Sequence, residues 1–358
     1  MTAHTYTTLV LGFEVSPDVK SKLDKTFHTV HYHPDGSIPD KAWRESDVCF
    51  AMPNGLPDTL KLEQVPNLHL VQILSAGANK VLEGEFFKNE KAWKQISVST
   101  ASGIHVYSIP QYIIGQAISL YMNLHQQHWL LRSRNKWATK PDVELKTAPG
   151  TPTNFISLRG KTAGMLGYGH IAREAARLFQ AHGVNVIAAN TRGEKSKDTG
   201  FIVPGTGDKN GSIPSAYYST SDEKSFDEFL SKTDILVASL PSTPQTQYLL
   251  KSKHFKALRE NAIFINVGRG DLVSSDVLLE ALDASPPHIL AVGIDVTDPE
   301  PLPDGHPLFT HPRALITPHT SGDFAGYVDA ATELLVANVE QLRKGGVAFN
   351  KVDPARGY

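Results

Sequence analysis

Cysteine is almost absent from this chain of 358 residues, and Cys49 is the single example. No disulfide within the chain and no cysteine-based metal centre can be built, which fits a reducing compartment. An excess of one charge is missing as well, since 35 Lys and Arg stand against 37 Asp and Glu for a formal net charge of −2. A balance of that kind leaves no electrostatic footprint for nucleic acid or an acidic membrane surface. No apolar stretch reaches the length of a membrane-spanning helix. The opening residues Met-Thr-Ala-His-Thr-Tyr have no basic region leading into an apolar run, and the closing residues from Ala355 carry no recognisable address. The expectation is a cytoplasmic protein with no metal, nucleic-acid or membrane partner.

What is present suits a folded enzyme. Hydrophobic residues make up 41% and charged residues 20%, enough to build a proper core, and the length accommodates two domains. Short apolar runs at 7–12, 48–52 and 68–74 are bounded by turn formers, as buried parallel strands are. The third runs into a small-residue loop, Ser75-Ala76-Gly77-Ala78. One long helix is expected over 108–137, with Pro110 in its first turn and Ile113, Ile114, Ala117, Leu120, Leu124 and Leu131 on one face. The Pro/Thr/Gly-rich stretch 140–154 reads as a connection. A second series of strands follows at 162–166, 184–188, 235–240, 262–267, 290–295 and 314–317, the number and order of a doubly wound nucleotide-binding sheet. A helix at 326–343 is expected to return to the first domain. The fold class is therefore α/β with two doubly wound domains. A Rossmann-type cofactor domain (124–324) is inserted into a flavodoxin-like substrate domain (1–123 and 325–358). The polar segment 193–224 reads as an inserted surface loop.

The strand at 162–166 leads into Gly167-Tyr168-Gly169-His170-Ile171-Ala172, a G-x-G-x-x-A turn that opens a helix. Gly167 permits the tight turn, Gly169 lets the backbone approach a pyrophosphate, and Ala172 lets the helix pack close to the sheet. The helix start offers unpaired N–H groups to phosphate oxygens. Glycine patterns alone are weak, but here strand, turn, helix and next strand all follow in order. At the end of that next strand an NAD site normally carries an acid for the ribose 2′-hydroxyl. This chain has Asn190-Thr191-Arg192 instead. The asparagine removes a charge that would repel a 2′-phosphate, and Thr191 and Arg192 can bind one. NADP(H) is the expected cofactor, with NAD(H) as the alternative, although Arg192 has an ordinary surface reading too.

Three further segments carry a family resemblance: Phe264-Ile-Asn266-Val267-Gly268-Arg269-Gly270, Gly293-Ile-Asp295 through Glu300-Pro301, and Ile316-Thr-Pro318-His319-Thr-Ser-Gly322. In order and spacing they resemble the D-isomer-specific 2-hydroxyacid dehydrogenases, among them glyoxylate/hydroxypyruvate reductases. The resemblance implies reduction of a small 2-oxo acid to its D-2-hydroxy acid. Arg269 then grips the substrate carboxylate and carbonyl, His319 serves as acid/base, and Glu300 supports the imidazole. It further implies that Leu240, Pro241, Val267 and Gly268 line the cofactor and that Asp295 meets the nicotinamide carboxamide. Ser75, Ala76 and the N–H groups of Gly77 and Ala78 would bind the substrate, at a site between domains closed by a hinge, in a homodimer. Gln111 stands where many relatives have Glu, away from the acid/base centre. Met52, Leu74, Ile104, His105 and Tyr107 are expected near the substrate side chain.

A different class of reading stays open. Dinucleotide-sensing corepressors resemble these enzymes and can keep Arg269, Glu300 and His319, so turnover discriminates. Formate-oxidising relatives usually have glutamine at the position of Glu300, whereas phosphite-oxidising relatives share the trio.

Overall fold

The short apolar runs become parallel strands in two separate sheets. The computed structural model describes residues 5–146 and 152–355. Packing divides the chain into two units, Met1–His105 with Phe324–Tyr358, and Val106–Asp323.

In the first unit the strands are β1 (Thr8–Leu11), β2 (Thr29–Tyr32), β3 (Val48–Ala51), β4 (Leu70–Ile73) and β5 (Ser97–Ser99). They pair in parallel in the order β2-β1-β3-β4-β5. This is the flavodoxin-like doubly wound order. Strands β3 and β4 are buried along their whole length, which is why their sequences read as continuous apolar runs. Sequence analysis missed β2 (Thr-Val-His-Tyr) and β5 (Ser-Val-Ser), which are the two edges of the sheet. An edge strand needs no two-faced apolar signature, so it leaves little trace in the letters.

The helix Tyr327–Arg343 belongs to this unit and buries Leu334, Leu335 and Val339. Its buried Asn338 donates through Nδ2 to Gln72 Oε1 at 2.8 Å and Ser99 Oγ at 2.9 Å, and accepts from the Phe349 N–H at 2.6 Å. Those bonds satisfy polar groups that would be costly to bury alone, and they fix where the returning helix lies on β4 and β5.

The second unit holds a two-residue antiparallel pair, β6 (Leu145–Lys146) with β7 (Pro152–Thr153), and then the main sheet. Its strands are β8 (Thr162–Leu166), β9 (Asn185–Asn190), β10 (Tyr217–Ser219), β11 (Ile235–Ala238), β12 (Ile263–Asn266), β13 (Ala291–Ile294) and β14 (Ala314–Ile316). The order is β10-β9-β8-β11-β12-β13-β14, all parallel. Strand order reverses between β8 and β11, and in such sheets ligands sit at the strand C-termini around that reversal.

Several expectations change. There are seven strands rather than six, because β10 lies inside the segment 193–224 that read as an inserted loop. That segment is also far from a bare surface loop, since its Asp208 and Val203 are buried. The single helix expected over 108–137 is two helices, Ile109–Tyr121 and Leu124–Arg134. Asn123 between them adopts φ 52°, a left-handed conformation that asparagine tolerates better than most residues. The break resets the helical phase. Ile113, Ala117 and Leu120 are buried as expected, but Leu124 and Leu131 are 47% and 39% exposed. The sequence boundary at residue 123 put the helix Ile109–Tyr121 with the substrate domain, whereas its contacts group it with the second unit. Of the expected connection at 140–154, residues 147–151 lie outside the described residues, as do 1–4 and 356–358 at the ends. Among the described residues no helix is long and apolar enough to cross a membrane.

Candidate active site

Strand β8 ends at Leu166 and passes into Gly167, Tyr168 and Gly169 before the helix His170–Ala181. Gly167 sits at φ 87°, and a Cβ there would come within 2.8 Å of the Leu240 side chain. Both facts demand glycine at this turn. The helix starts at Gly169 with no side chain capping its first N–H groups. A Cβ at Gly169 would meet no heavy atom within 4 Å, so the space beside that backbone is open to a close-approaching ligand. Uncapped N–H groups at the positive end of a helix, on a turn that a ligand can approach closely, fit the pyrophosphate of a dinucleotide. Leu240, on the loop after β11, packs over this turn and forms its far wall.

At the end of β9 stands Asn190, expected at the cofactor because it removes a charge that would repel a 2′-phosphate. Its side chain also has a task within the protein. Its Oδ1 accepts from the N–H groups of Arg192, Gly193 and Glu194 at 3.1, 2.8 and 3.3 Å, and its Nδ2 donates to Glu194 O at 2.8 Å. Asparagine thus shapes the loop that displays Thr191 and Arg192, both of which are exposed.

Arg269, Glu300 and His319 lie on the loops that leave the C-terminal ends of β12, β13 and β14, three neighbours in the sheet. The first loop is pinned by Asn266, whose Oδ1 accepts from Gly268 N and whose Nδ2 donates to Arg269 O, each at 3.0 Å. Arg269 donates one Nη1–H to Gly268 O at 2.7 Å, and its other guanidinium N–H groups have no partner among the described residues. His319 Nδ1 and Glu300 Oε1 are 2.6 Å apart. Since a carboxylate only accepts, Nδ1 carries the hydrogen, and Nε2 is left for chemistry.

The residue that organises this corner is Asp295, which is 2% exposed. Its Oδ1 accepts from Thr317 Oγ1 at 2.5 Å and Thr320 N at 3.0 Å. Its Oδ2 accepts from Ser321 Oγ at 2.5 Å and Ser321 N at 3.0 Å. Its backbone carbonyl accepts from His319 N at 2.9 Å. An ionised carboxylate has about four acceptor positions, and all are filled by the 317–321 loop. Sequence analysis set Asp295 against the nicotinamide carboxamide; within the protein its side chain holds the histidine loop. The hold is needed because His319 adopts φ 55°, a conformation that persists only where surroundings over-determine it. Thr317, having donated to Asp295, accepts from Tyr112 O–H at 2.7 Å, and burial pushes that phenol up to about 12. Thr317, Ser321, Asn266 and Tyr112 in this supporting role were not found from sequence. Serine and threonine beside a histidine give no signal until the fold brings the aspartate underneath them.

In the first unit the Ser75–Ala78 loop follows β4 directly. Ser75 Oγ donates to Gly77 O at 2.8 Å, Ala76 is exposed and Ala78 is buried. The N–H groups of Gly77 and Ala78 donate to no acceptor among the described residues, as a loop with donors to offer requires. Of the residues expected around a substrate side chain, Ile104 is fully buried. Leu74 and His105 are also buried, with His105 Nε2 3.1 Å from Tyr327 Oη, while Met52 and Tyr107 are exposed.

The family model for D-isomer specific 2-hydroxyacid dehydrogenase, NAD binding domain, matches residues 114–321, more than half of the chain. A hydroxypyruvate reductase of Blautia hydrogenotrophica is 25% identical over 308 residues, which is 84% of this chain and 83% of that protein. The human glyoxylate reductase/hydroxypyruvate reductase is 32% identical over 162 residues, 45% of this chain and 44% of that one. A D-isomer specific 2-hydroxyacid dehydrogenase from Xanthobacter autotrophicus, solved with NADPH and MES, superposes with a TM-score of 0.72 at 23% identity, covering 99% of this chain and 100% of that one. The enzyme of that family from Lactobacillus delbrueckii ssp. bulgaricus, solved in an NAD-complexed form, gives 0.72 at 18% identity, covering 97% and 100%. At such identities the structural likeness establishes the two-sheet fold alone, and it is shared by NADPH-bound and NAD-bound proteins alike. With more than half its length matched by the family model, the chain belongs to the D-isomer specific 2-hydroxyacid dehydrogenases.

Proposed function

We propose that this protein is an NADPH-preferring reductase that converts a small 2-oxo acid, of the glyoxylate or hydroxypyruvate type, reversibly into its D-2-hydroxy acid. The observation that carries this reading is the 2.6 Å pair of His319 Nδ1, on a loop clamped by Asp295, and Glu300, on the loop that packs against the Arg269 loop. Bound nicotinamide dinucleotide supplies the hydride to the carbonyl carbon and accepts it in the reverse direction. The uncommitted guanidinium N–H groups of Arg269 bind the substrate's carboxylate and carbonyl oxygen in a planar fork, which fixes the face presented. His319 Nε2 delivers a proton to the carbonyl oxygen, and Glu300 orients the ring through Nδ1. The substrate class agrees with the names of the relatives, a hydroxypyruvate reductase and a glyoxylate reductase/hydroxypyruvate reductase. The cofactor preference rests on Arg192, displayed at the end of β9 where no acid stands.

The test follows NADPH and NADH oxidation separately against glyoxylate, hydroxypyruvate and larger 2-oxo acids. NADPH should be favoured by about tenfold or more in kcat/KM, and Arg192→Ala should close most of that gap, as expected for loss of a charge-assisted bond to a phosphate. Equal use of NADH would remove the 2′-phosphate argument. Dinucleotide binding without turnover on any substrate would favour a sensing protein instead.

We infer self-association as well. Met122, Leu124, Trp129, Leu131 and Trp137 are all exposed along 122–137, with Trp129 at 61% and Trp137 at 89%. Large apolar side chains left exposed in one short stretch of chain commonly mark an interface, and a second copy of the chain is the simplest occupant. Sedimentation equilibrium should give a dimer, and Trp129→Glu should shift it to monomer; a wild-type monomer at micromolar concentration overturns this.

A further inference from the structure

The segment between β9 and β10 was absorbed neither by the fold order nor by the chemistry, yet it is tied down at four places. All four lie on the turn and first helical residues that follow β8. Asp208, 7% exposed, accepts from Tyr168 O–H at 2.9 Å. Arg173, 3% exposed, donates to Asp208 O at 2.6 Å, to Ser196 O at 2.9 Å and to Ser196 Oγ at 3.1 Å, and also to Tyr168 O at 3.1 Å. His170 Nε2 lies 3.1 Å from Asp198 Oδ1. Glu174 accepts from Gly207 N–H at 2.6 Å. Tyr168, the residue between the two glycines of the turn, is further enclosed by the Arg173 guanidinium 4.8 Å from its ring and by Tyr217 edge-on at 5.9 Å.

We propose that residues 193–216 form a clasp that preorganises the glycine turn for the dinucleotide, with Asp208 and Asp198 as positioning residues that touch the turn and not the cofactor. This rests on the dinucleotide reading given above. The physical reasoning is one of entropy and satisfaction. A turn that must present successive N–H groups to a pyrophosphate loses affinity in proportion to the conformations it samples when free. Glycines at 167 and 169 widen that sampling. Anchoring the intervening Tyr168 at both its hydroxyl and its carbonyl, and the next residues at His170, Arg173 and Glu174, narrows it again. A segment that merely covered the surface would not need a buried arginine and a buried carboxylate, since such groups are costly unless fully bonded. Asp208 is fully bonded. Besides Tyr168 it accepts from Ser212 N at 2.9 Å, Ser212 Oγ at 3.2 Å and Ile213 N at 2.8 Å. Burial works against its charge, but these donors outweigh burial and hold the carboxyl below the usual range.

The clasp is tested on the whole protein with Asp208→Asn and, at an anchor less central to packing, Asp198→Asn. NADPH affinity is read by the quenching of tryptophan fluorescence without substrate, KM against kcat in turnover, and amide hydrogen exchange over 167–174. Each variant should weaken NADPH binding about fivefold or more and raise its KM in step. Meanwhile kcat at saturation should stay within about twofold, because only the free state is disordered. Amides of the turn should exchange faster in the free variants and regain wild-type protection once NADPH is bound. If Asp208→Asn does not yield folded protein, Asp198→Asn decides alone. Wild-type protein that binds NADPH while the variants bind it equally well overturns the clasp and leaves the dinucleotide reading intact. Wild-type protein that binds neither NADPH nor NADH overturns that reading, and the clasp falls with it.

Discussion

Replacing His319 with alanine should lower kcat for 2-oxo acid reduction by about a thousandfold, within the range that general acid–base groups supply. NADPH affinity should stay close to that of the unaltered protein. The separation follows from the site. The imidazole is held by Glu300 at 2.6 Å on an exposed loop, while the glycine turn lies at the end of another strand, β8. Loss of the ring takes away the proton donor without disturbing the glycines. The loop should also survive the change, because Asp295 grips Thr317, Thr320 and Ser321 and not the imidazole. Stopped-flow or steady-state NADPH oxidation together with a binding titration checks both halves. Turnover retained within tenfold would mean that another group delivers the proton, and the role given to His319 would have to be abandoned.

The second large effect is expected at a residue with no chemistry of its own. A Cβ on Gly270 would sit 1.7 Å from Thr297 O and 2.2 Å from Thr297 C. No rotamer can relieve that contact, since both partners are backbone. Gly270→Ala must therefore push the loop after β12 away from the loop after β13. These two loops carry Arg269 and Glu300. Overpacking of this kind costs about 3 kcal/mol or more, and the displaced guanidinium and carboxylate should take nearly all turnover with them. Urea unfolding and the NADPH oxidation assay on purified protein read the two losses together. A variant with unaltered midpoint and activity would show that the approach of these loops is not required.

The legible parts of the chain were those whose physics is local. A strand buried on both faces must be apolar throughout, and β3, β4 and β8 could be read on that ground. A tight strand-to-helix turn must have glycine where a side chain would clash, so Gly167 made the turn after β8 legible. Edge strands β2, β5 and β10 were missed because only one neighbour and one face constrain them. The broken helix was missed for a different reason. Asn123 fits an α-helix as a sequence letter, and its left-handed backbone becomes visible only in the fold.

By itself the sequence determined the two doubly wound sheets, the glycine turn after β8 and the family to which the motif residues belong, since these depend on periodicity, glycine geometry and side-chain chemistry. Only the tertiary structure decided which side chains hold those residues in place. Asp295 turned out to clamp the histidine loop, Asn190 to shape the loop bearing Arg192, and a polar segment to grip the glycine turn through Asp208 and Arg173. The reason is that a hydrogen-bond partner is defined by distance in space. Pairs such as Tyr168 with Asp208, or Asp295 with Ser321, are separated by tens of residues and share no period that sequence could reveal.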